Sequence, residues 1–230
     1  MYDFHVHTNL SIGENTLEEM ADFAKRLGLS SIGVVRYYVD RVELLPKEVN
    51  GIGIINCVMI KAKNPQELND IALKVRDKAE VLMVHGGDYD VNRAACENSL
   101  IDILCHPELG RKDSGLDHIA VKAAAANKVA IEINFRAVLE SYKRRRIRIL
   151  SSMTKNIKLC REYNTDVITT SGAVNKYGLR SPRELAAVTN LLGLELGKAI
   201  ESVSSLPEEI LKVNREKLEG KRWEGARMVE

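Results

Sequence analysis

The chain has 230 residues, 45% of them hydrophobic and 29% charged, with a formal net charge of +2. That composition excludes a disordered chain and bounds the answer at one large domain or two small ones. It also excludes a uniformly basic nucleic-acid-binding protein, so any basic footprint has to be local.

No apolar run approaches the roughly 20 residues that a transmembrane helix needs. The opening MYDFHVHT is too polar for a secretory leader. The four cysteines, Cys57, Cys96, Cys105 and Cys160, form no C-x-x-C pair, which excludes a zinc ribbon. Reduced thiols in a cytoplasmic protein that meets no membrane are the expectation.

Short apolar, β-branched runs occur at Tyr2–Val6, Ser31–Arg36, Gly53–Lys61, Val81–His85, Ile101–His106, Val129–Asn134 and Asp166–Thr170. They read as strands buried on both faces, as a parallel sheet requires. Helical patterns lie between most of them. Thr16-Leu17-Glu18-Glu19 is a capping box. Asn64-Pro65-Gln66-Glu67 and Ser181-Pro182-Arg183-Glu184 each set a cap residue, a first-turn proline and a glutamate in the order a helix start favours. Val138–Tyr163 has the periodicity of one helix, and Pro182–Leu192, Leu194–Ser202 and Pro207–Leu218 end the chain as helices. About seven β–α units follow one another, with no eighth strand. No G-x-G-x-x-G follows the first strand, which argues against an open dinucleotide-binding sheet. The expected fold is α/β: an irregular TIM-like β/α barrel of about seven parallel strands with extra helices. Residues 1–230 are read as a single β/α-barrel domain with a C-terminal helical extension from about 182. The charged stretch Arg215–Glu230, with its Trp223, reads equally as a docking helix or a frayed tail.

The first strand carries His5-Val6-His7. Residues two apart on a strand share a face, and the carboxyl end of a barrel strand is where such folds build sites. An H-x-H pair there is a metal-ligand signal; it is equally two histidines satisfied by hydrogen bonds. His85, His106, Glu132 and Asn134 stand at later strand ends. On His5-Val6-His7-Thr8, Cys105-His106-Pro107-Glu108 and Glu132-Ile133-Asn134 the sequence resembles the polymerase-and-histidinol-phosphatase family of metal-dependent phosphoesterases. That resemblance implies a divalent-metal cluster at the barrel mouth. Three departures break the ligand set. Where the family has Asp-His after the second strand, this chain has Arg36-Tyr37-Tyr38; where a carboxylate is expected it has Ile60-Lys61-Ala62-Lys63; and the closing Asp-x-His becomes Ser171-Gly172-Ala173. Arginine and lysine repel the cations that carboxylates and neutral histidines hold. No metal and no catalytic residue is therefore expected, and His5, His7, His85, His106 and Glu132 are read as vestigial candidates.

The densest charge is Lys143-Arg144-Arg145-Arg146-Ile147-Arg148. From Lys143 to Arg161 there are eight basic residues and no acidic one. On a helix these cations fan around the axis, so some face solvent or an anionic partner. Gly110-Arg111-Lys112-Asp113-Ser114-Gly115 follows the fifth strand. Its small residues would let backbone N–H groups approach phosphate, with Arg111 and Lys112 adding charge. Arg36, Arg93, Arg111 and Arg180 are candidates to gather at one barrel mouth.

From Tyr2 to about Leu196 the sequence resembles the ribonuclease P protein component 3 family of archaea. The residues that carry this are Tyr2–Thr8, the loop from His106 to His118, the strand Val129–Phe135, Thr170–Ala173 and Leu179–Leu185. The resemblance implies a barrel subunit of ribonuclease P, the endoribonuclease that removes the 5′ leader from precursor tRNA. It also implies that catalysis belongs to the RNA subunit and its Mg2+, with no cofactor on this chain and no catalysis by the chain alone. The implied partners are ribonuclease P RNA, precursor tRNA, ribonuclease P protein component 2 as direct partner, and the other ribonuclease P proteins. RNA contacts are expected at Arg93, Arg111, Lys112, His118, Arg144, Arg145, Arg146, Arg148, Lys176 and Arg180. Arg111, His118 and Arg180 lie inside the matching motifs, whereas the Lys143–Arg148 run rests on charge. A metal-dependent phosphoesterase is the alternative reading.

Overall fold

The structure, a computed structural model, describes residues 1–223 and 226–227. Strand β1 (Tyr2–Val6) leads through helix α1 (Leu17–Arg26) to β2 (Ser31–Tyr37). A loop and the short β3 (Glu48–Val49) precede β4 (Ile52–Ile60). Then come α2 (Pro65–Val75), β5 (Val81–His85), α3 (Tyr89–Cys96), β6 (Ile103–Cys105) and α4 (His118–Asn127). They are followed by β7 (Ala130–Asn134), α5 (Phe135–Leu139), α6 (Lys143–Glu162) and β8 (Val167–Thr170). The chain closes with α7 (Pro182–Leu191), α8 (Leu196–Glu201), α9 (Ser205–Leu218) and the small pair β9 (Arg222–Trp223) and β10 (Ala226–Arg227).

The sheet runs β1-β2-β4-β5-β6-β7-β8 with every neighbour parallel, and β3 lies antiparallel to β4. The last strand returns to the first. Val6 bridges Ala173, the His7 N–H donates to the Ala173 carbonyl at 2.8 Å, and the Ser171 N–H donates to Asp3 Oδ1 at 3.1 Å. The result is a nearly closed barrel of seven parallel strands, as the strand–helix alternation predicts.

Period-two alternation sorts the strand residues into two layers. Val35, Ile55, Cys57, Met59, Met83, Ile103 and Ile168 fill the interior. Val84, Leu104, Ile131 and Ile133 face outward under α2, α3, α4 and α6, and Val6, Val34 and Ile54 lie under α1. Ile210 and Leu211 of α9 pack against the interior cluster, so the last helix plugs the end opposite the strand C-termini. There the Asn214 amide donates to the Glu80 carbonyl at 2.9 Å and Arg215 pairs with Glu80 at 2.7 Å.

The helix starts follow their sequence grammar. Thr16 and Ser181 form full capping boxes with Glu19 and Glu184, and Asn64 caps α2 with Pro65 in its first turn. Among the described residues no helix is long and apolar enough to cross a membrane.

Three local expectations need correction. The second and third major strands are joined without a helix; instead Asn50 and Gly51, at φ of 53° and 82°, turn the β3–β4 hairpin, as an Asn-Gly pair does. The single helix expected over Val138–Tyr163 is two. The buried Ser141 hydroxyl donates to the Val138 carbonyl at 3.0 Å, and Arg146 Nε donates to the Val138 and Ser141 carbonyls at 3.1 and 2.9 Å. Side-chain donors thus take carbonyls at the end of α5, and α6 restarts at Lys143. The tail beyond Arg215 is the last turn of α9 followed by the β9–β10 pair; residues 224–225 and 228–230 of that stretch lie outside the described residues.

Candidate functional site at the barrel mouth and on the cationic helix

One irregularity builds the mouth. β1 takes three residue steps, from Asp3 to Val6, where β2 takes two, from Ile32 to Val34. This bulge switches the parity of β1: Phe4 is in the interior cluster, yet Val6 faces outward with the α1 layer. His5 and His7 therefore both turn to the mouth, with their Nε2 atoms 3.1 Å apart. Gly33 makes room, because a Cβ there would lie 2.6 Å from the Phe4 carbonyl oxygen. Bulges commonly re-aim side chains in this way.

Glu132 sits at the centre of the mouth, fully buried. Its Oε1 lies 2.6 Å from His5 Nδ1 and accepts the Thr170 hydroxyl at 2.6 Å, while Oε2 accepts the His106 backbone N–H at 3.0 Å. The Asn134 amide approaches Oε1 at 3.3 Å. Burial alone would push this carboxyl up, but His5, His106 and Thr170 outweigh it and hold Glu132 at about 2. Glu132 is thus an ionised, internally satisfied carboxylate that ties β7 to β1, β6 and β8.

The other histidines are kept neutral. Burial first, then His5 and Arg136, lowers His7 to about 3. Burial and Lys61 lower His85 to about 4, and burial lowers His106 to about 3 against the pull of Glu132. Tyr37 stacks on His7 at 6.2 Å between ring centroids, and its hydroxyl lies 3.1 Å from His85 Nδ1. His106, held at a φ of 34°, turns the chain out of β6.

The structure brings together all five histidine and glutamate positions singled out from the sequence. Asn134, named with them at a strand end, joins the mouth, as do Tyr37 and Lys61 from the segments that depart from the hydrolase pattern; Thr170 and Arg136 are new as site residues. Arg136 follows directly on Phe135, and it carried no motif that would have marked it.

Among the described residues, one trio has ligand atoms within 4.8 Å of one another: His5, Cys105 and Glu132. It is a poor match to a hydrolase cluster. Both Glu132 oxygens are already engaged, the Cys105 thiol is pushed well up by burial and by Glu132, and Lys61 and Arg136 stand close enough to depress the neighbouring histidines. The residues present therefore do not fit a multi-metal phosphoesterase centre.

The arginines expected to share the mouth do not behave alike. Arg36 points outward, to Asn56 at 3.1 Å and to Glu43, since Val35 and Tyr37 take the inward positions of β2. Arg111 is committed to Asp113 through two bonds of 2.6 and 2.9 Å and to the Gly87 carbonyl at 3.1 Å. Asp113 also accepts the Gly115 N–H at 2.9 Å. The loop expected to cradle phosphate thus carries its own anion. Arg93 pairs with Glu97 at 2.9 Å, and Lys176 pairs with Glu19 at 3.2 Å. Arg180 donates to the Tyr177 and Leu179 carbonyls at 2.8 and 2.7 Å, and its guanidinium lies 5.5 Å from the centroid of the Phe135 ring. His118, exposed at the start of α4, faces Tyr163 at 6.5 Å between ring centroids. Lys112 is exposed.

The α6 run differs from these. Lys143, Arg144, Arg145, Arg146 and Arg148 are all exposed in its first turns. Arg146 is spent on the end of α5, and Lys143 lies 5.2 Å from the centroid of the Tyr142 ring. Arg144, Arg145 and Arg148 make no side-chain hydrogen bond or ion pair within the described residues. Tyr142 supplies no side-chain cap, and cations at a helix N-terminus oppose the macrodipole. The chain thus carries an electrostatic cost there that an anionic partner would relieve.

The sequence matches the family described as RNase P subunit p30 over residues 1–219. The chain belongs to the RNase P p30 family. It is 39% identical over 217 residues to ribonuclease P protein component 3 of Methanosarcina acetivorans, covering 93% of this chain and 90% of that one. To the protein of the same name from Methanothermobacter thermautotrophicus it is 32% identical over 219 residues, 91% of this chain and 88% of that one. A solved chain from a cryo-EM structure of archaeal ribonuclease P with mature tRNA superposes with a TM-score of 0.81 at 28% identity, covering 100% of this chain and 98% of that one. An amidohydrolase superposes with a TM-score of 0.64 at 8% identity, covering 94% of this chain and 75% of that one. At that identity the likeness shows the barrel fold alone.

Proposed function

We propose that the chain is a protein subunit of ribonuclease P. In this role it supports RNA-catalysed removal of the 5′ leader from precursor tRNA by binding RNA and a partner protein. The observation that carries this reading is the match to ribonuclease P chains along nearly the whole sequence. Two features of the geometry support it over a metal-dependent phosphoesterase: the internally satisfied Glu132, and the unpaired arginines of α6.

On this reading the chain binds no metal of its own, and the Mg2+ of the holoenzyme acts through the RNA. Ribonuclease P RNA and precursor tRNA are met through Arg144, Arg145 and Arg148, which are free to neutralise phosphates. Lys112, His118 and Lys176 contribute at the periphery. Arg93, Arg111, Arg146 and Arg180 act as much by fixing loops as by touching RNA, because each is bonded within the chain. Ribonuclease P protein component 2 is the direct protein partner, alongside the other ribonuclease P proteins. The site of action is the cytoplasm, which suits four free, buried cysteines.

The test is precursor-tRNA cleavage by ribonuclease P RNA and the remaining proteins, with and without this chain, across a magnesium titration. Addition of the chain is expected to lower the magnesium requirement or raise the rate. No change in either would refute the reading.

A further inference from the structure

Of the seven tyrosines, Tyr142 and Tyr177 stand exposed, at 71% and 72%, and the other five are at least partly covered. Tyr142 ends the connection from α5 to α6, on the chain that leaves the C-terminal end of β7. Tyr177 lies in the turn Lys176–Gly178, on the chain that leaves the C-terminal end of β8. Because β7 and β8 are paired and parallel, the two tyrosines belong to neighbouring loops on one rim of the barrel. Those loops are fastened together. The Arg136 N–H donates to the Ser171 carbonyl at 2.9 Å, and the Arg180 guanidinium lies 5.5 Å from the centroid of the Phe135 ring.

Folding gains little from either ring, since an exposed aromatic forgoes most of its burial. Neither hydroxyl forms a hydrogen bond within the described residues. Tyr142 occupies the N-cap of α6 and supplies no cap bond, where Ser, Thr, Asp or Asn would. Tyr177 meets Phe23 edge-on at 6.0 Å between ring centroids. Each ring has a lysine ammonium beside it, Lys143 at 5.2 Å and Lys176 at 5.7 Å from the centroid. The charge around them selects the partner. Glu140 and Glu19 are already paired with Arg136 and Lys176, whereas Arg144 and Arg145, next to Tyr142, are exposed and unpaired. Open rings beside uncompensated cations match a strand of phosphates with accessible base faces. A duplex hides its base faces in the stack; an unpaired strand offers one at every nucleotide.

We propose that this rim is a stacking surface for unpaired nucleotides of ribonuclease P RNA. Tyr142 and Tyr177 each take a base face, and Arg144 and Arg145 take the adjoining phosphates. The proposal rests on the RNA-binding reading above and adds the kind of RNA recognised: looped, bulged or single-stranded, without base preference, because every base has a π-face. The catalytic RNA is the occupant rather than precursor tRNA. A grip of this kind on a substrate would carry over to the product and slow its release, whereas a subunit's contact with the RNA on which it assembles is lasting.

The experiment measures binding of a short unstructured RNA strand, and of an RNA duplex of equal length, to the full chain across a salt series. Tyr142→Ala and Tyr177→Ala are each expected to weaken the strand by roughly 5- to 150-fold, the worth of one stacked base, and to leave the duplex unchanged. The salt slope should stay the same, because no charge is removed. Tyr142→Phe and Tyr177→Phe keep the ring and should bind as the unmodified chain does. Both side chains are exposed, so the alanine variants should melt with the unmodified chain; if Tyr177→Ala melts early through its contact with Phe23, Tyr142→Ala decides alone.

Equal losses for strand and duplex, or no loss for either, would overturn the stacking surface. So would unchanged RNA binding with weakened association of ribonuclease P protein component 2, which would assign the rings to a protein contact. Ultraviolet crosslinking in the reconstituted complex decides which RNA is held. Crosslinks to ribonuclease P RNA that disappear in the alanine variants are expected, and crosslinks to precursor tRNA alone would contradict the assignment. Stimulation of cleavage by the unmodified chain is read in parallel. Its absence would remove the ribonuclease P reading itself, whereas its presence with unaffected tyrosine variants would remove the stacking surface alone.

Discussion

Glu132 on β7 and His5 on β1 meet across the barrel mouth, with 2.6 Å between Oε1 and Nδ1. Both side chains are almost wholly buried, so each group lacks water as an alternative partner. Removing one member strands the other. Glu132→Ala also orphans the Thr170 hydroxyl and the His106 N–H. The expected loss of stability is about 3 kcal/mol or more, at about 1–3 kcal/mol for each buried polar partner left unsatisfied, measured by urea unfolding. A loss below about 1 kcal/mol would mean that the mouth is not held by this carboxylate.

The pH dependence of stability follows from the neutral histidines. His7, His85 and His106 sit at about 3, 4 and 3, all below the ordinary histidine value of about 6.5. The unfolded chain therefore binds protons first. Their contribution is complete above about pH 6.5 and is lost as pH falls towards 4. Urea unfolding between pH 7 and pH 4 should show stability falling with acidity, and Glu132, held at about 2, adds a further loss below its unfolded value of about 4.3. A flat profile over this range would contradict neutral, buried rings.

Glu108 and Asp3 work with the opposite sign. They hold their protons to about 8 and about 6 in the folded chain, whereas the unfolded chain releases them near pH 4. Their contribution is complete below that point and is lost as pH rises through 6 and 8. Glu108→Gln should abolish the decline between pH 6 and pH 8 and steepen the rise of stability with pH below 6, where Glu108 offsets the histidines. If the alkaline decline persists in the variant, Glu108 is not the group that titrates there.

How much of this was legible in the sequence differs from element to element. The seven strands could be read because a parallel sheet covered on both faces needs short, largely apolar runs rich in β-branched residues, such as Val81–Val84 and Val129–Ile133. The pairing of His5 with His7 followed from strand periodicity, although the same periodicity puts Phe4 on the opposite face from both. The bulge that reconciles them depends on the Gly33–Phe4 contact between two strands, which no single-strand pattern contains. The β3–β4 hairpin did carry a readable signal in Asn50-Gly51. The break between α5 and α6 did not, since it depends on Ser141 being buried and on Arg146 folding back. Charge density marked the α6 cations, but sequence could not separate the free Arg144, Arg145 and Arg148 from Arg111, whose partner Asp113 was two residues away in plain view. Arg136 went unremarked as a site residue because its significance comes from what the fold places beside it.

The α6 cations can be counted by salt dependence. Each phosphate neutralised contributes a slope of about −0.7 to −0.9 in log affinity against log salt. The triple variant Arg144→Ala, Arg145→Ala, Arg148→Ala should flatten the slope for binding to ribonuclease P RNA by roughly 2 to 3. The free chain should melt no lower, because these cations oppose the dipole of α6. An unchanged slope would remove α6 from the RNA interface.

Arg111 is a sharper case because it is bonded internally. Asp113→Ala frees its guanidinium from two hydrogen bonds. If Arg111 serves mainly to hold the loop, Asp113→Ala and Arg111→Ala should lower cleavage by the reconstituted complex to a similar degree. If Asp113→Ala preserves or strengthens RNA binding while Arg111→Ala weakens it, Arg111 is a direct RNA contact.

A binding role is separated from a catalytic one by comparing the mouth with the cationic helix in one assay. Single-turnover cleavage of precursor tRNA would be followed in the reconstituted holoenzyme carrying either His7→Gln with His85→Gln or the α6 triple variant, each at a matched folded fraction. The mouth variant is expected to keep the rate within about twofold, whereas the α6 variant is expected to lose about tenfold or more at limiting magnesium, a loss of about 1.4 kcal/mol or more. Loss of cleavage in the mouth variant, with the α6 variant unaffected, would place the chemistry in the barrel and contradict a binding role for this chain.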